Sequence, residues 1–251
     1  MNLRLFIIIQ LLLVQVSYAQ SVYSVALIGT DDKTRLKDAE QFTLLSKDIA
    51  TNLGFSLKTS QLTGVKFNAK NTKQTLQNIN PNPSDIVILY YSGKGTIDEQ
   101  KIWPVFHYPE SDLLMRDAIA ILKAKKPKLL LIIGDCDQKE YIPDIDLKSL
   151  VVVHPASEKD NFAQLFTAFK GRTTILISST SVGQVAKRDK TYGSVFLKEF
   201  KRTFEEETSS ETSNASWNTI REKTLNRVQK ATNNLQKPKF TIQVLSDVED
   251  E

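Results

Sequence analysis

The chain has one cysteine and two histidines in 251 residues. A single thiol, Cys136, excludes an internal disulfide, so stability has to come from core packing. His107 and His154, without a second cysteine, leave too few of the usual ligands for a structural zinc, and no metal or other cofactor is expected. Charge of one sign is also scarce. The formal net charge of +4 is spread along the chain, and the densest basic stretch, residues 123–128 around Pro127, reads as a solvated helix end. Nucleic-acid binding is therefore not expected.

Long apolar runs are absent beyond the N-terminus, and no internal repeat is visible. Residues 5–16 are apolar, follow a short basic start and fall short of the roughly 17 residues that the shortest membrane-spanning helix needs. They read as the core of a signal peptide over residues 1–19, cut before Gln20, with an uncleaved anchor as the alternative. The mature protein is expected to be exported, periplasmic or extracellular, with no membrane contact after cleavage. Asn214-Ala215-Ser216 is a glycosylation acceptor only on a eukaryotic secretory route.

What is present is a chain 41% hydrophobic, with the size of one α/β domain over residues 20–246. Residues 22–28 read as a buried strand, ended by the turn formers Gly29-Thr30-Asp31-Asp32. Leu36, Ala39, Phe42, Leu45, Ile49 and Leu53 recur at helical spacing, with Gly54 as a stop. A strand over 55–62 and a helix over 70–79 follow, the latter ended by Pro81 and Pro83. The runs 85–92 and 129–133 are continuously β-favouring, as in central parallel strands covered on both faces. Between them, 113–122 has helical periodicity. Further strands are expected over 150–153, 174–178 and 240–245, and further helices over 161–169, 194–204 and 217–235. Alternation of this kind predicts a three-layer α/β sandwich, a mostly parallel central sheet with helices on both faces. Residues 205–213, acidic and Ser/Thr-rich, read as a mobile loop, and 247–251 as an acidic tail.

In parallel sheets the reactive groups gather past the carboxyl ends of central strands, which directs attention to Ser92-Gly93-Lys94-Gly95 and Gly134-Asp135-Cys136-Asp137. Here the chain resembles the caspase-like peptidases, caspases and metacaspases among them. In that family a strand ending Tyr-Tyr-Ser-Gly-His-Gly supplies the catalytic His, and the next central strand ends Asp-x-Cys with the nucleophile. The segment 175–184 resembles the strand that walls the family's substrate cleft, and Gly193-Ser194-Val195-Phe196 is similar to the helix start that follows it. The resemblance spans residues 22–205 in consistent order and implies the caspase-like fold.

Carried over position by position, the family's His falls on Lys94 and its Cys on Asp137, with Cys136 at the variable middle place. A cysteine peptidase needs a thiolate and an imidazole; a carboxylate is a poor acyl nucleophile, and an amine ordinarily protonated at neutral pH is no general base. Cys136 is an alternative nucleophile, but adjacent residues at a strand end face opposite sides, so its thiol should turn from the cleft. His107 and His154 read as loop histidines. Lys94 and Asp137, on adjacent strand ends, are expected to form an ion pair, with two separately solvated charges as the alternative.

The resemblance also implies a pocket for a basic side chain, faced by Asp135 and by Asp31 or Asp32, and walled by Ser179, Thr180 and Ser181. Asp135 as a simple cap is the alternative. The expected function is a catalytically inactive pseudopeptidase that binds a peptide or protein, with a basic segment as the candidate partner, or that regulates an active relative. An active endopeptidase using Cys136, and a structural domain with a vestigial cleft, are the competing readings.

Overall fold

The structure is a computed structural model that describes residues 19–100, 102–138, 158–209, 211 and 214–245. Its centre is strand β3 (Ile86–Ser92), all seven of whose residues are buried, because an unbroken apolar and aromatic run suits a strand covered on both faces. Around it lie β1 (Ser21–Ile28), β2 (Ser56–Thr63), β7 (Leu129–Asp135), β8 (Arg172–Ser178) and β11 (Lys239–Leu245), in the order β11-β8-β7-β3-β1-β2. All neighbours are parallel except β11, which runs antiparallel to β8 at one edge.

Side chains on successive residues of β3 point to opposite faces, and two cores result. Ile86, Ile88 and Tyr90 meet helices α1 (Arg35–Leu53), α4 (Glu158–Phe166), α5 (Val195–Thr208) and α6 (Trp217–Ala231) through Phe42, Ile49, Phe166, Phe200 and Trp217. Val87, Leu89 and Tyr91 meet α2 (Ala69–Asn78) and α3 (Met115–Lys123) through Leu76, Ala118 and Leu122. The three-layer sandwich expected from the alternation of strands and helices is the architecture observed.

Three local differences matter. A small antiparallel sheet, β4 (Lys94–Ile97), β5 (Pro104–His107) and β6 (Asp112–Leu114), branches off after β3, so His107 sits in a strand rather than the expected loop. Strands of three or four residues are too short to show a period in sequence. A two-residue pairing of β9 (Arg188–Asp189) with β10 (Gly193–Ser194) was likewise not visible. Third, α5 continues to Thr208, into the segment expected to be a mobile acidic loop. Its acidic turn is tied to α6: Arg227 Nη2 lies 2.6 Å from Glu206 Oε2, and Lys223 Nζ 2.5 Å from Glu207 Oε1. Residues 1–18 of the signal peptide expected over 1–19, the strand expected over 150–153, His154 and the tail expected over 247–251 fall outside the described residues. Among the described residues no helix is long and apolar enough to cross a membrane.

The tie to Arg227 sets a pH signature. Its hydrogen bond holds Glu206 below the usual carboxylate range despite some burial. A lowered folded pKa means stability that is present above the unfolded value of 4.5 and lost as pH falls through the folded one. Glu206→Gln should therefore lower stability by less than about 1 kcal/mol at pH 7, the pair being partly exposed, with the difference vanishing in acid. Urea melts of the two proteins at pH 7 and pH 3 check this.

Candidate functional site

The strand registers align Ile28 with Ser92, Ser92 with Asp135 and Gly134 with Ser178. The loops after β1, β3, β7 and β8 therefore gather at one end of the sheet. The chain leaves β1 for β2 on one side and β3 for β7 on the other, so the crevice between the ends of β1 and β3 is the topological switch point, where open α/β sheets hold ligands.

Lys94 begins β4 just past β3, its side chain 71% exposed, with the ammonium 3.2 Å from Asp31 Oδ2. Asp31 also pairs with Arg35. The expected Lys94–Asp137 ion pair is thus replaced by Lys94–Asp31. The physical reason is that β3 has two neighbours, and the amine reaches the loop after β1 rather than the one after β7. Asp137, half-buried, instead accepts the Ala186 amide at 2.9 Å on Oδ1.

Cys136 is fully buried in the face that holds Tyr91, Phe106 and Tyr108. Asp135, one residue earlier, is on the opposite face, where its Oδ2 accepts the Tyr90 hydroxyl at 2.8 Å. Burial pushes the Cys136 thiol well above its ordinary pKa, and the charges of Asp135 and Asp137 add to the shift. The imidazole among the described residues, His107, directs Nδ1 to Asp112 Oδ1 at 2.5 Å. A neutral, enclosed thiol reacts only when the structure opens. Iodoacetamide should modify Cys136 at least roughly a hundredfold more slowly in the folded protein than in urea; mass spectrometry of quenched samples measures both rates.

The residues expected to wall a cleft lie mostly inside. Ser179 and Thr180 are fully buried, and Thr180 Oγ1 donates to the Cys136 carbonyl at 2.9 Å. Ser181 Oγ donates to the Lys237 carbonyl at 2.9 Å. Gln138 bridges the two loops, donating from Nε2 to Ser178 Oγ and to the Thr180 carbonyl. Thr180 and Gln138 therefore fasten the loop after β8 to the loop after β7, with Ser179 buried between them.

The switch-point crevice itself holds a cluster that the sequence did not reveal. Asp38, on the core face of α1, is fully buried. Its Oδ1 accepts the Ser194 amide at 2.8 Å; its Oδ2 accepts the Ser92 hydroxyl at 2.6 Å and Arg188 Nη2 at 2.5 Å. Arg188 Nε donates to Thr34 Oγ1 at 2.9 Å and lies 3.3 Å from Asp32 Oδ2. Burial, and then the Asp135 charge, push the Asp38 carboxyl up, partly offset by Arg188. Burial pushes Arg188 down, but Asp38 and Asp135 more than restore it, so the guanidinium stays charged. Burial also pushes Asp32 up, outweighed by its bonds from Thr34 and by Arg188 and Arg35. One signal was readable for Asp38: a carboxylate set within the apolar stripe of a helix with Ala39, Phe42 and Leu45 needs a buried partner. Arg188, in a Lys/Arg-rich loop, carried none.

The arrangement can hold a cation; it does not assemble a nucleophile with a base. Among the described residues no group of three or more His, Cys, Asp and Glu could hold a metal ion. The peptidase C14 family model, the caspase domain, matches residues 33–248. Among solved structures, caspase-1 from Spodoptera frugiperda superposes with a TM-score of 0.58 and 12% identity, over 91% of this chain and 88% of that one. No curated protein sequence matches.

Proposed function

Since the chain belongs to the caspase-domain family, we propose that it is a member without peptidase chemistry, an exported pseudopeptidase that binds a peptide or protein partner or regulates an active relative. One observation carries this reading: Cys136, the only sulfhydryl in the sequence, is fully buried among aromatic rings on the face of β7 away from Asp135. The positions matched to the family's imidazole and thiol, Lys94 and Asp137, support it. Both are engaged, Lys94 with Asp31 and Asp137 with the Ala186 amide. Export is supported by the basic start and apolar run of residues 1–19. The carboxylates at the switch point make a basic segment the fitting partner.

The test incubates the mature protein with fluorogenic Arg, Lys and Asp peptides, with and without a thiol alkylator. No turnover above buffer is expected for any of them. Turnover that Cys136→Ser abolishes would overturn the proposal. Silence accompanied by saturable binding of a basic peptide supports it over a purely structural domain.

A further inference from the structure

The end of the sheet away from the switch point carries a basic cavity. Its volume is about 210 Å³, and it lies where β7 and β8 begin and β11 ends, beside the C-terminus of α3. Pro127, Leu130 and Leu245 give it apolar walls, and Lys123, Lys126 and Arg172 give it charge; none of the described residues that line it is acidic. Strand register explains the gathering. Leu130 pairs with Thr174 and Arg172 with Leu245. Residues two apart on a strand share a face, so Arg172 and Thr174 stand on the side of Leu176, towards α3.

The basic stretch 123–128, read from sequence as a solvated helix end, thus borders a cavity. Lys123 Nζ crosses to β11 and donates to Gln243 Oε1 at 2.9 Å; Lys125 Nζ donates to the Gln77 carbonyl and Lys128 Nζ to the Phe169 carbonyl, each at 2.7 Å. All three acceptors are uncharged, so these bonds leave the positive charge in place. Lys126 has φ of 54°, where glycine is the least strained residue, with its amide on the Lys123 carbonyl at 3.0 Å. A lysine there sets a cation beside the cavity where the backbone alone would select glycine. The C-terminus of α3 opposes an anion with roughly half a negative charge, which three full cations outweigh.

We infer that this cavity binds a phosphomonoester, the phosphate held by Lys123, Lys126 and Arg172 and the organic group laid against Pro127, Leu130 and Leu245. The planar fork of Arg172 can bond two phosphate oxygens at once, and the two ammonium groups match the remaining charge of a near-dianion. The volume, several times the roughly 30 Å³ share of a single water, accommodates an organic group as well as the phosphate. A monocarboxylate would leave more of the positive charge unbalanced. Asp247, Glu249, Asp250 and Glu251 follow Leu245 in sequence and are rival oxyanions for the same cations. The site stands apart from the proposed peptide-binding function, since the loops after β1, β3 and β7 lie at the other end of the sheet.

The test titrates phenyl phosphate into the full mature chain by calorimetry at low ionic strength, where screening is weakest. Saturable binding is expected, with benzoate and inorganic phosphate each about tenfold weaker, the first for want of charge and the second for want of an apolar body. Arg172→Met and Lys126→Met should each weaken phenyl phosphate at least about tenfold. Lys125→Met, in the same stretch but outside the cavity lining, should change it less than about twofold. No saturable binding, or equal losses from Arg172→Met and Lys125→Met, would overturn the inference, the second result meaning a diffuse basic face. Should a variant fold poorly, urea melts read the same site: phenyl phosphate should raise the midpoint of wild type and not that of Arg172→Met. An equal rise in both refutes the site. Changing Asp247, Glu249, Asp250 and Glu251 to their amides separates the rivals. Tighter phenyl phosphate binding supports the site with the chain's own carboxylates as competitors, unchanged binding supports it without them, and weaker binding counts against it.

Discussion

Asp38→Ala should lower the unfolding free energy by about 3–5 kcal/mol, the range for removing one partner of a buried ion pair. The carboxylate accepts from Arg188, the Ser92 hydroxyl and the Ser194 amide, so its loss strands a buried cation and two further donors at once. It also unfastens two distant parts of the chain, since Ser194 opens α5 and Arg188 belongs to the hairpin before it. Asp38→Asn should cost less, because one oxygen remains to accept the Ser194 amide. Combining Asp38→Asn with Arg188→Met should cost less than the sum of the single changes, which identifies the pair as the source. Urea denaturation at constant m-value gives all four numbers. A loss below about 1 kcal/mol for Asp38→Ala would show that the cluster contributes no more than a surface pair.

A second large loss is expected at Gly95. A Cβ there would stand 2.6 Å from Cys136 Sγ and 2.9 Å from both Cys136 Cβ and the Asp137 carbonyl oxygen. The first two atoms belong to a fully buried side chain and the third to the backbone, so none can swing aside. Gly95→Ala should cost about 3 kcal/mol, towards the upper end for inserting one methyl into a packed interior. The same shift should quicken iodoacetamide modification of Cys136, because the thiol's enclosure depends on this contact. Adding Cys136→Gly to Gly95→Ala should recover part of the loss. A Gly95→Ala protein as stable as wild type would mean that the loop after β7 yields freely.

The sequence was most informative where one physical demand dominated. β3 and β7 were legible because a strand covered on both faces tolerates almost nothing but apolar residues, and residues 86–91 and 129–133 offer nothing else. α1 was legible through the periodicity of Phe42, Leu45 and Ile49. The β4–β6 sheet and the β9–β10 pair were not, because pairing of two to four residues is decided by tertiary contacts that leave no period. The site was legible in its loops but not in its pairings. Lys94 and Asp137 stand in those loops, yet which acid takes the ammonium depends on β1 lying beside β3, a fact of strand order that no local pattern encodes. The acid turn of α5 misled for a related reason: Glu206 and Glu207 look solvated until Arg227 and Lys223 of α6 are brought against them.

The carboxylate at 137 holds the amide of Ala186, two residues ahead of Arg188, while the amine at 94 neutralises Asp31 beside the same crevice. An engineer who installs a thiol at 137 and an imidazole at 94 in order to build a peptidase therefore cuts two mooring lines in the same stroke. The graft would loosen the very walls against which a scissile peptide has to be aligned.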